Sequence, residues 1–454
     1  MDDKAAVNIQ PLAPLEGAAG FIDRFEYRAD SPIADGGFAY VYWARDRQSE
    51  TDVALKVLKP EYEENMVVVD SFFRDPRIAL QLDHPNIVKI LNIGDSDTRP
   101  YFFAMEYCSM GDLRKWIQRT RRLSIARALR YAVGICDALQ YCHASDVFHR
   151  DIKASNILFK NTHTPVLSDF GNALDEIRFQ VDEGREENVG SPPYMSPEAW
   201  QRQGYTAASD LYSFGVLLYY MITGVLPFSG TTPEEFKKMH LFTTPATPSK
   251  WRASVTKPLD EVILSLLEKR PKDRITSVAE VRSLLDQIYR DSYEGIDAVT
   301  NAAVKIFLED GTGSGISPQE YPFSIGKGDA GSKDSQNYLK VGARDPYVSR
   351  CHAVIERFED GFFFIDMSTN GSWVNGTRLH KQSIELVREN KVLVGKETAF
   401  VIKVSGGEKS GDEWTRTLRS EESPRGRLPM KPEIILGASV VLLVLGYLVK
   451  LILS

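Results

Sequence analysis

The stretch "HRDIKASNILFKNTHTPVLSDFG", residues 149–171, decides how this chain is interpreted. It places Asp151, Lys153 and Asn156 in one short segment, and a second aspartate, Asp169, after an apolar run. Asp151 can serve as a base and Lys153 can contact a phosphate, while the oxygens of Asn156 and Asp169 suit Mg²⁺. Since phosphoryl transfer requires mainly positioned groups and neutralised charge, the stretch predicts a site for that reaction.

The residues before this stretch supply further parts of such a site. Short β-like runs dominate from about 21 to 110, around one helical segment near 64–82, and helical patterns dominate from about 111 to 290. Between two β-like runs, "IADGGFAYVY" can fold as a hairpin over phosphates, and "VALK" places Lys56 on the next run. Each has a plainer interpretation, because Gly-Gly often marks only a turn and most strand lysines are solvated charges.

A second β-rich block follows, from about 302 to 405, and its Gly- and Asn-separated runs predict a β-sandwich. The segments "FSIGK", "YVSRCHAVI" and "DMSTNGSWVNG" place Ser, Thr, Asn and basic residues in its loops. Such side chains at one end of a rigid sandwich can surround a phosphate with hydrogen-bond donors. In the plainer interpretation, these polar residues only shape the turns.

The last apolar run, "IILGASVVLLVLGYLVKLILS", predicts a transmembrane helix over residues 434–453, since about 20 helical residues cross a ~30 Å hydrocarbon core. The polar segment 406–433 is typical of a flexible linker, and its basic residues predict that this side of the membrane is cytoplasmic. The alternative is a buried core helix. Because few residues follow the run, we expect almost the whole protein on the cytoplasmic face.

The composition excludes several classes of protein. A chain of 454 residues is long enough for two or three domains, and its net charge of -7 argues against a nucleic-acid partner. Four cysteines without a CxxC pair favour a reducing compartment and argue against zinc binding. The N-terminus lacks the pattern of a signal peptide, and residues 1–20 are expected to be flexible.

Residues 21–290 resemble a eukaryotic-type Ser/Thr protein kinase. The resemblance implies the bilobal kinase fold, with ATP and Mg²⁺, or alternatively Mn²⁺, as cofactors. It assigns Asp151 to the substrate hydroxyl, Lys153 to the γ-phosphate and Lys56 to the α- and β-phosphates. It further implies that Asn156 and Asp169 hold the metal ion. The residues expected around the nucleotide are Ile33, Ala34, Gly36, Val41, Ala54, Met105, Glu106, Cys108 and Leu158.

The resemblance also assigns structural roles in the larger lobe. Asp210, in "SDLYSFG", is expected to brace the catalytic loop. Glu198, in "SPE", and Arg274 resemble a buried ion pair of the family, whose disruption would cost several kcal/mol. These roles follow from the resemblance alone.

The chain departs from the kinase pattern in two places. Of the family's three loop glycines only Gly36 matches, and Ala34 and Ala39 stand at the other two positions. The helical partner of Lys56 is usually Glu, but the count leads to Asp75, followed by Pro76, which predicts a helix that begins late or is kinked. The alternative to an active kinase is therefore a pseudokinase scaffold that binds phosphoproteins without catalysis.

The segment between DFG and SPE lacks the usual acceptor of a regulatory phosphate. No Ser, Thr or Tyr lies between Phe170 and Gly190, although Arg150 is the kind of residue that receives such a phosphate. Phosphorylation would add roughly -1.5 to -2 charges there. Our hypothesis is that a carboxylate of Glu186 or Glu187 occupies the place of the phosphate. The alternative is an acidic, solvated loop.

Residues 302–405 resemble a forkhead-associated (FHA) domain, a family that binds phosphothreonine peptides. The resemblance implies that Ser349, Arg350, Thr369 and Asn370 contact the phosphate or the peptide backbone. Lys327 stands where the family usually has Arg, and lysine keeps the charge but lacks the bidentate fork.

Together these features predict an α+β multidomain chain: a bilobal protein-kinase fold, a β-sandwich of FHA type and a single transmembrane helix. The resemblance is strongest to bacterial membrane-bound signalling kinases, so we expect a single-pass protein of the cell (inner) membrane. Its expected partners are proteins with Ser or Thr acceptors, phosphothreonine proteins and a second copy of the chain, but no nucleic acid. A tail-anchored organelle protein of a eukaryote is the remaining alternative.

Overall fold

The computed structural model of the chain describes residues 22–95, 98–170, 191–293, 303–308, 315–318, 321–328, 338–342, 345–358 and 361–405. By its internal contacts the chain divides into a unit of residues 1–405 and a unit of residues 406–454. The predicted flexible N-terminus, the linker and the transmembrane helix lie outside the described residues. Among the residues that are described, no helix is both long enough and apolar enough to cross a membrane.

A small antiparallel lobe begins the described chain. Its strands are rich in Val, Tyr and Phe, which suit a pleated surface, and the four residues Phe102 to Met105 are all buried. Strand order is β1-β3-β4-β6-β5, with β2 paired to β3. The strands are β1 (Phe25–Tyr27), β2 (Ala34–Asp35), β3 (Ala39–Asp46), β4 (Thr51–Leu58), β5 (Ile90–Ile93) and β6 (Phe102–Glu106).

One helix, α1 (Met66–Ala79), packs beside this sheet. It begins at Met66 because the Asn65 side chain accepts hydrogen bonds from the backbone N–H groups of Val67 and Val68. Pro76 therefore lies inside the helix, so the expectation that the helix begins late is wrong, and the alternative of a kink stays a prediction. Proline has no backbone N–H, so the helix lacks the hydrogen bond that this residue would otherwise donate.

The larger lobe is helical and carries the β7–β8 hairpin at its junction with the small lobe. In α5 (Ala207–Thr223), Gly215 permits close packing, because a Cβ there would lie 2.7 Å from the Cβ of Leu266 in α7 (Lys257–Leu266). The elements are α2 (Leu113–Thr120), α3 (Ile125–Ala144), β7 (Ile157–Phe159), β8 (Pro165–Leu167), α4 (Pro197–Trp200), α5 (Ala207–Thr223), α6 (Pro233–Phe242), α7 (Lys257–Leu266) and α8 (Val278–Ser292).

The remaining strands form a sandwich of two five-stranded sheets, β11-β10-β12-β13-β16 and β15-β14-β17-β18-β9. Their inward side chains, such as Phe364 and Phe400, form an apolar core. The strands are β9 (Ala303–Leu308), β10 (Phe323–Gly326), β11 (Tyr338–Lys340), β12 (Ala353–Phe358), β13 (Gly361–Asp366), β14 (Ser372–Val374), β15 (Thr377–Leu379), β16 (Ser383–Glu385), β17 (Glu389–Val394) and β18 (Thr398–Ser405).

Candidate functional site

Asp210, the fourth residue of α5, forms hydrogen bonds with the backbone of the loop that carries Asp151. One carboxylate oxygen of Asp210 accepts a hydrogen bond from the backbone N–H of His149, and the other accepts from Arg150, both at 3.0 Å. Arg150 has a φ of 67°, a left-handed conformation that a non-glycine residue adopts only when its surroundings enforce it. Asp210 thus fixes a strained backbone immediately before Asp151.

Two side chains that the sequence did not point to complete this brace. His143 Nε2 lies 2.8 Å from Asp210, and the Tyr205 hydroxyl donates to it at 2.9 Å. Burial opposes the charge of Asp210, but the bonds from His143 and the backbone hold its pKa below the ordinary value. Asp210 therefore remains a carboxylate, which is the state that accepts all four bonds.

His149 connects the catalytic loop to the segment before Asp169. The backbone N–H of Asp151 donates to Nδ1 at 3.2 Å, and Nε2 lies 2.9 Å from the carbonyl of Ser168. These contacts require an unprotonated Nδ1 and a proton on Nε2. Burial lowers the pKa of His149, which agrees with a neutral ring.

Three polar side chains meet at Asp151. Lys153 Nζ contacts one carboxylate oxygen, and the amide of Asn156 donates to the same oxygen at 3.0 Å. Ser191 donates to the other oxygen at 2.9 Å and accepts from Lys153 at 2.9 Å. The structure thus brings together the predicted base, the predicted phosphate-contacting cation and one predicted metal ligand. Ser191, which lies before the SPE sequence, joins them directly.

Lys56 and Asp169 form the second part of the site. Lys56 Nζ donates to Asp169 Oδ1 at 2.5 Å and lies 5.5 Å from the centre of the Phe103 ring. The nearby Lys56 charge is the main reason that the pKa of Asp169 is below its ordinary value. Asp169 has a φ of 59°, so its backbone is also in the left-handed region.

The side chains of Asn156 and Asp169 fit a Mg²⁺ ion by their chemistry. The amide nitrogen of Asn156 is bonded to Asp151, which leaves its amide oxygen as the candidate ligand beside the carboxylate of Asp169. Mg²⁺ usually takes one or two protein oxygens and completes its shell with water and substrate phosphates. Among the described residues, no group of three or more His, Cys, Asp and Glu side chains is arranged to hold a metal.

The apolar residues predicted to surround the nucleotide base, here called the slot, share one buried cluster. Ala54 and Met105 are paired across β4 and β6, and both belong to one buried apolar cluster with Cys108. Val41 and Leu158 are partly buried and pack against that cluster. Burial raises the pKa of the Cys108 thiol to about 12, so this residue acts as an apolar side chain. That these residues bind a nucleotide base stays a prediction.

The loop over the slot is open to solvent. Ala34 and Gly36 are exposed, as is Ile33 at 45%, which lies outside the cluster that contains the rest of the slot. The Gly36 N–H donates to the Ala39 carbonyl at 3.0 Å, and Asp35 pairs with Lys59 at 2.8 Å. Ala39 is buried in β3, so a methyl group is accommodated at this glycine position of the family.

Glu198 and Arg274 form a two-pronged buried ion pair in the larger lobe. Both guanidinium nitrogens donate to Glu198 oxygens at 2.7 Å, and the side chains are 6% and 0% exposed. Ser209 also donates to Glu198 at 2.8 Å. Burial opposes the charge of Glu198, but these bonds hold its pKa below the ordinary value.

The structure does not describe the side chains of three residues on which the hypotheses about the activation segment and the Lys56 ion pair depend. Glu186 and Glu187 are outside the described residues, as is the side chain of Asp75. The guanidinium of Arg150 lies 6.0 Å from the centre of the Tyr205 ring. The replacement of a phosphate by a carboxylate and the pairing of Lys56 with Asp75 therefore stay predictions.

In the sandwich, the loops before β12 and before β14 bring most of the predicted phosphate contacts together. The hydroxyls of Ser349 and Thr369 are 3.5 Å apart, and Asn370 donates to the Tyr347 carbonyl at 3.0 Å. The Lys327 N–H donates to the Ser349 carbonyl at 3.1 Å. Arg350 differs, because its guanidinium donates to Asp52 of the small lobe at 2.6 Å.

Gly326 and His352 set the backbone of these loops. A Cβ on Gly326 would lie 2.1 Å from the carbonyl oxygen of Arg350, so only glycine fits. His352 is fully buried, with Nδ1 accepting from the Ser349 N–H at 3.0 Å. Both residues position Ser349 and Arg350 and do not themselves face a ligand.

Comparison with known proteins agrees with this arrangement. A family model described as "Protein kinase domain" matches residues 27–290, more than half of the chain, and one described as "FHA domain" matches residues 323–395.

Three relatives are bacterial proteins named serine/threonine-protein kinase. PknB of Mycolicibacterium smegmatis is 32% identical over 272 residues, which is 58% of this chain and 43% of PknB. The protein pkn3 of Myxococcus xanthus is 31% identical over 278 residues, 59% of this chain and 50% of pkn3. PknB of Mycobacterium leprae is 29% identical over 334 residues, 72% of this chain and 52% of PknB.

This chain thus spans about half the length of the curated relatives it matches. The matched region contains the catalytic loop, the Lys56–Asp169 pair and the Glu198–Arg274 pair described above. The chain therefore belongs to the protein kinase family, with a Ser/Thr-type kinase domain followed by an FHA domain.

Proposed function

We propose that the chain transfers the γ-phosphate of ATP to serine and threonine hydroxyls of proteins. The observation that carries this proposal is the cluster in which Asp151 meets Lys153, Asn156 and Ser191 within hydrogen-bond reach. In such a cluster, Asp151 orients the acceptor hydroxyl and takes its proton, and Lys153 neutralises charge on the transferred phosphate. Ser191 joins the two and fixes their relative position.

The remaining groups of the site bind the nucleotide. The slot formed by Ala54, Met105 and Leu158 accepts the base, and Lys56 contacts its α- and β-phosphates. When bound, Mg²⁺, or Mn²⁺ in its place, neutralises phosphate charge at Asn156 and Asp169. Because Lys56 is paired with Asp169, nucleotide binding requires this lysine to share its donors between the carboxylate and the phosphates.

The experiment that tests this proposal is a map of the phosphorylated residues. The purified chain is incubated with Mg·ATP and a mixed protein substrate, and the products are identified by mass spectrometry. We expect phosphoserine and phosphothreonine and no phosphotyrosine. Failure to form any phosphoprotein, with ATP bound, would contradict the proposal.

That contrary result would favour the second candidate, a pseudokinase scaffold that binds phosphoproteins without catalysis. Its specific support is Ala34 and Ala39, which replace two of the three glycines of the loop that covers the phosphates. The exposed position of Ala34 also leaves the loop less tightly anchored over the slot. We favour catalysis because the groups expected to touch the reacting phosphate lie together.

For the FHA domain we propose the binding of phosphothreonine proteins, which are either substrates to be recruited or the chain's own phosphorylated linker. The supporting geometry is the pair of hydroxyls of Ser349 and Thr369, with Asn370 beside them. The test compares binding of phosphorylated and unphosphorylated threonine peptides. Ser349→Ala should weaken only the phosphorylated peptide, and Thr377→Ala, an exposed threonine of β15, should change neither.

The proposed location is the cell (inner) membrane, with a single span at residues 434–453 and the kinase and FHA domains in the cytoplasm. The support is the length and apolar character of the C-terminal run. Copies held in one membrane have a raised effective concentration, so phosphorylation between two copies and a homodimer belong to the proposal. The chain should resist carbonate extraction from membranes, whereas a variant truncated at residue 433 should be released.

A further inference from the structure

The outer face of one FHA sheet lies against the kinase domain. Side chains alternate along a strand, so Ala353 and Ile355 of β12 point into the sandwich while Val354 and Glu356 point away from it. Val354 is fully buried and belongs to the apolar cluster of the kinase domain, as does Ile365 of β13. The FHA domain therefore has a second apolar face, and the kinase domain covers it.

Polar contacts fix the position of the FHA domain against the kinase domain. Arg119 lies at the end of α2, and its carbonyl accepts a hydrogen bond from the Ser383 hydroxyl at 3.2 Å. The guanidinium of Arg119 lies 3.2 Å from the Met367 sulfur. Arg127 of α3 pairs with Glu356, and the two side chains are only 5% and 3% exposed. Removing either partner would leave an uncompensated buried charge in the docked arrangement, so each of the two charges requires the other there.

A third contact involves the arginine of the predicted phosphate site. Arg350 Nη1 donates to Asp52 Oδ2 at 2.6 Å, at the start of β4, and its guanidinium lies 5.2 Å from the centre of the Tyr107 ring. Tyr107 follows β6 in the segment expected to face the adenine. Unlike the Arg127–Glu356 pair, this contact is accessible, with Arg350 39% and Asp52 27% exposed.

Asp52 is well suited to hold this arginine. Burial opposes its charge, but bonds from Trp43, Arg45 and Arg350 hold its pKa below the ordinary value. A carboxylate offers arginine the same kind of acceptor oxygens as a phosphate, with one charge in place of roughly 1.5 to 2. Asp52 thus binds the arginine that a phosphothreonine would need. Its carboxylate is a weaker ligand for arginine than a phosphate, because it carries less charge.

We propose that Asp52 of the kinase domain and a phosphothreonine peptide compete for Arg350, so that phosphopeptide binding to the FHA domain detaches this arginine from the small lobe. The inference rests on the proposed phosphothreonine binding by the FHA domain. The apolar face and the Arg127–Glu356 pair lie apart from this contact and remain in place. The expected change is therefore local to Asp52 and the Tyr107 segment, without separation of the two domains.

The size of the competition follows from the exposure of the pair. An ion pair as accessible as Asp52–Arg350 changes the equilibrium constant between the paired and unpaired states by about two- to fivefold. Removal of the Asp52 carboxylate should raise the affinity for phosphopeptide by that factor. Because the two ligands exclude each other at Arg350, the Asp52–Arg350 contact is absent from the peptide-bound chain.

The test uses the full chain and a fluorescein-labelled peptide mixture with a fixed phosphothreonine and degenerate flanking residues. Anisotropy should give a dissociation constant about two- to fivefold lower for Asp52→Asn than for the unmodified chain. The matched control is Asp30→Asn, which removes an exposed carboxylate of the same lobe that pairs only locally with Arg28, and it should leave binding unchanged. Arg350→Ala should weaken binding severely.

Hydrogen exchange gives an independent readout of the same contact. Amides of residues 51–55 and 104–108 should exchange faster when the phosphopeptide binds the unmodified chain. In Asp52→Asn they should exchange faster already without peptide, and the peptide should add little. The unphosphorylated mixture should have no effect on either protein.

The outcomes separate this inference from the proposed function. If Arg350→Ala loses binding but Asp52→Asn binds as the unmodified chain does, the FHA domain is a phosphothreonine reader and the competition is refuted. If the phosphorylated and unphosphorylated mixtures bind the unmodified chain equally, the proposed reader function fails and the competition fails with it.

Discussion

Replacement of Asp210 by asparagine tests how the catalytic loop is held. The two carboxylate oxygens accept from the N–H groups of His149 and Arg150, and each also has a side-chain partner. Asparagine has the same shape but only one acceptor oxygen. In either orientation of the amide, its NH₂ group faces one backbone N–H, which then loses its acceptor inside the protein.

The magnitude follows from these contacts. An unsatisfied buried donor costs about 1–3 kcal/mol, and the surviving bonds lose the assistance of a full charge, so we expect a loss of about 2–4 kcal/mol. The strained φ of Arg150 can then relax, which displaces Asp151. A displacement on the order of 1 Å can reduce turnover by about 100-fold, and we expect kcat for phosphate transfer to fall by that factor.

The assay measures stability and turnover in the same preparations. Stability is measured by hydrogen exchange of α5 amides in increasing urea, because a multidomain chain does not give one two-state transition. Asp260→Asn is the matched control: Asp260 is also buried, but it accepts the N–H of Ser249, distant in sequence from the catalytic loop. It should cost about 1 kcal/mol and leave kcat unchanged. Equal stability and kcat for Asp210→Asn and the unmodified chain would refute the reasoning.

Three further predictions follow from single contacts. Ser191→Ala should lower kcat about tenfold without changing the KM for ATP, and Ser191→Thr should restore it; steady-state kinetics that show a KM effect instead would place Ser191 at the nucleotide. Glu198→Gln should destabilise the kinase domain by about 3–5 kcal/mol at pH 7. Because the folded pKa of Glu198 is lowered, this contribution is present above its ordinary pKa and is lost as pH falls through the folded value. The deficit, measured by hydrogen exchange of α5 amides in increasing urea, should therefore shrink in acid, and a constant deficit would contradict the assignment. Gly326→Ala should destabilise the FHA domain by about 3 kcal/mol, since its Cβ would collide with the Arg350 carbonyl; unchanged hydrogen exchange of the β10 and β12 amides in increasing urea would be inconsistent with this packing.

Elements with a strong periodic pattern were predictable from sequence. The segment "IARALRYAVGICDALQYCHA" coincides with α3, Ile125–Ala144, because apolar residues recur at helical spacing behind a capping serine. The runs that became β3, β4 and β6 are rich in β-branched and aromatic residues. At α1, a proline was given too much weight, since the Asn65 cap sets the beginning of that helix.

The catalytic loop was predictable because its groups lie close together in sequence. Its supports were not, since His143 and Tyr205 reach Asp210 only after the chain has folded. The contact between Arg350 and Asp52 joins residues 298 positions apart and leaves no local signal in either segment. The resemblance predicted Arg350 to be a ligand-binding residue and gave no indication that a carboxylate of the same chain holds it.

A paired measurement on Asp151 tests whether its loop transfers phosphate. The rate of phosphate transfer from Mg·ATP to protein and the dissociation constant of ATP are measured for the full chain and for Asp151→Asn. We expect transfer to fall by about 10²- to 10⁴-fold while ATP binding is unchanged, because Asp151 acts on the acceptor hydroxyl and not on the nucleotide. Equal transfer by both proteins, or ATP binding without transfer by either, would contradict this prediction.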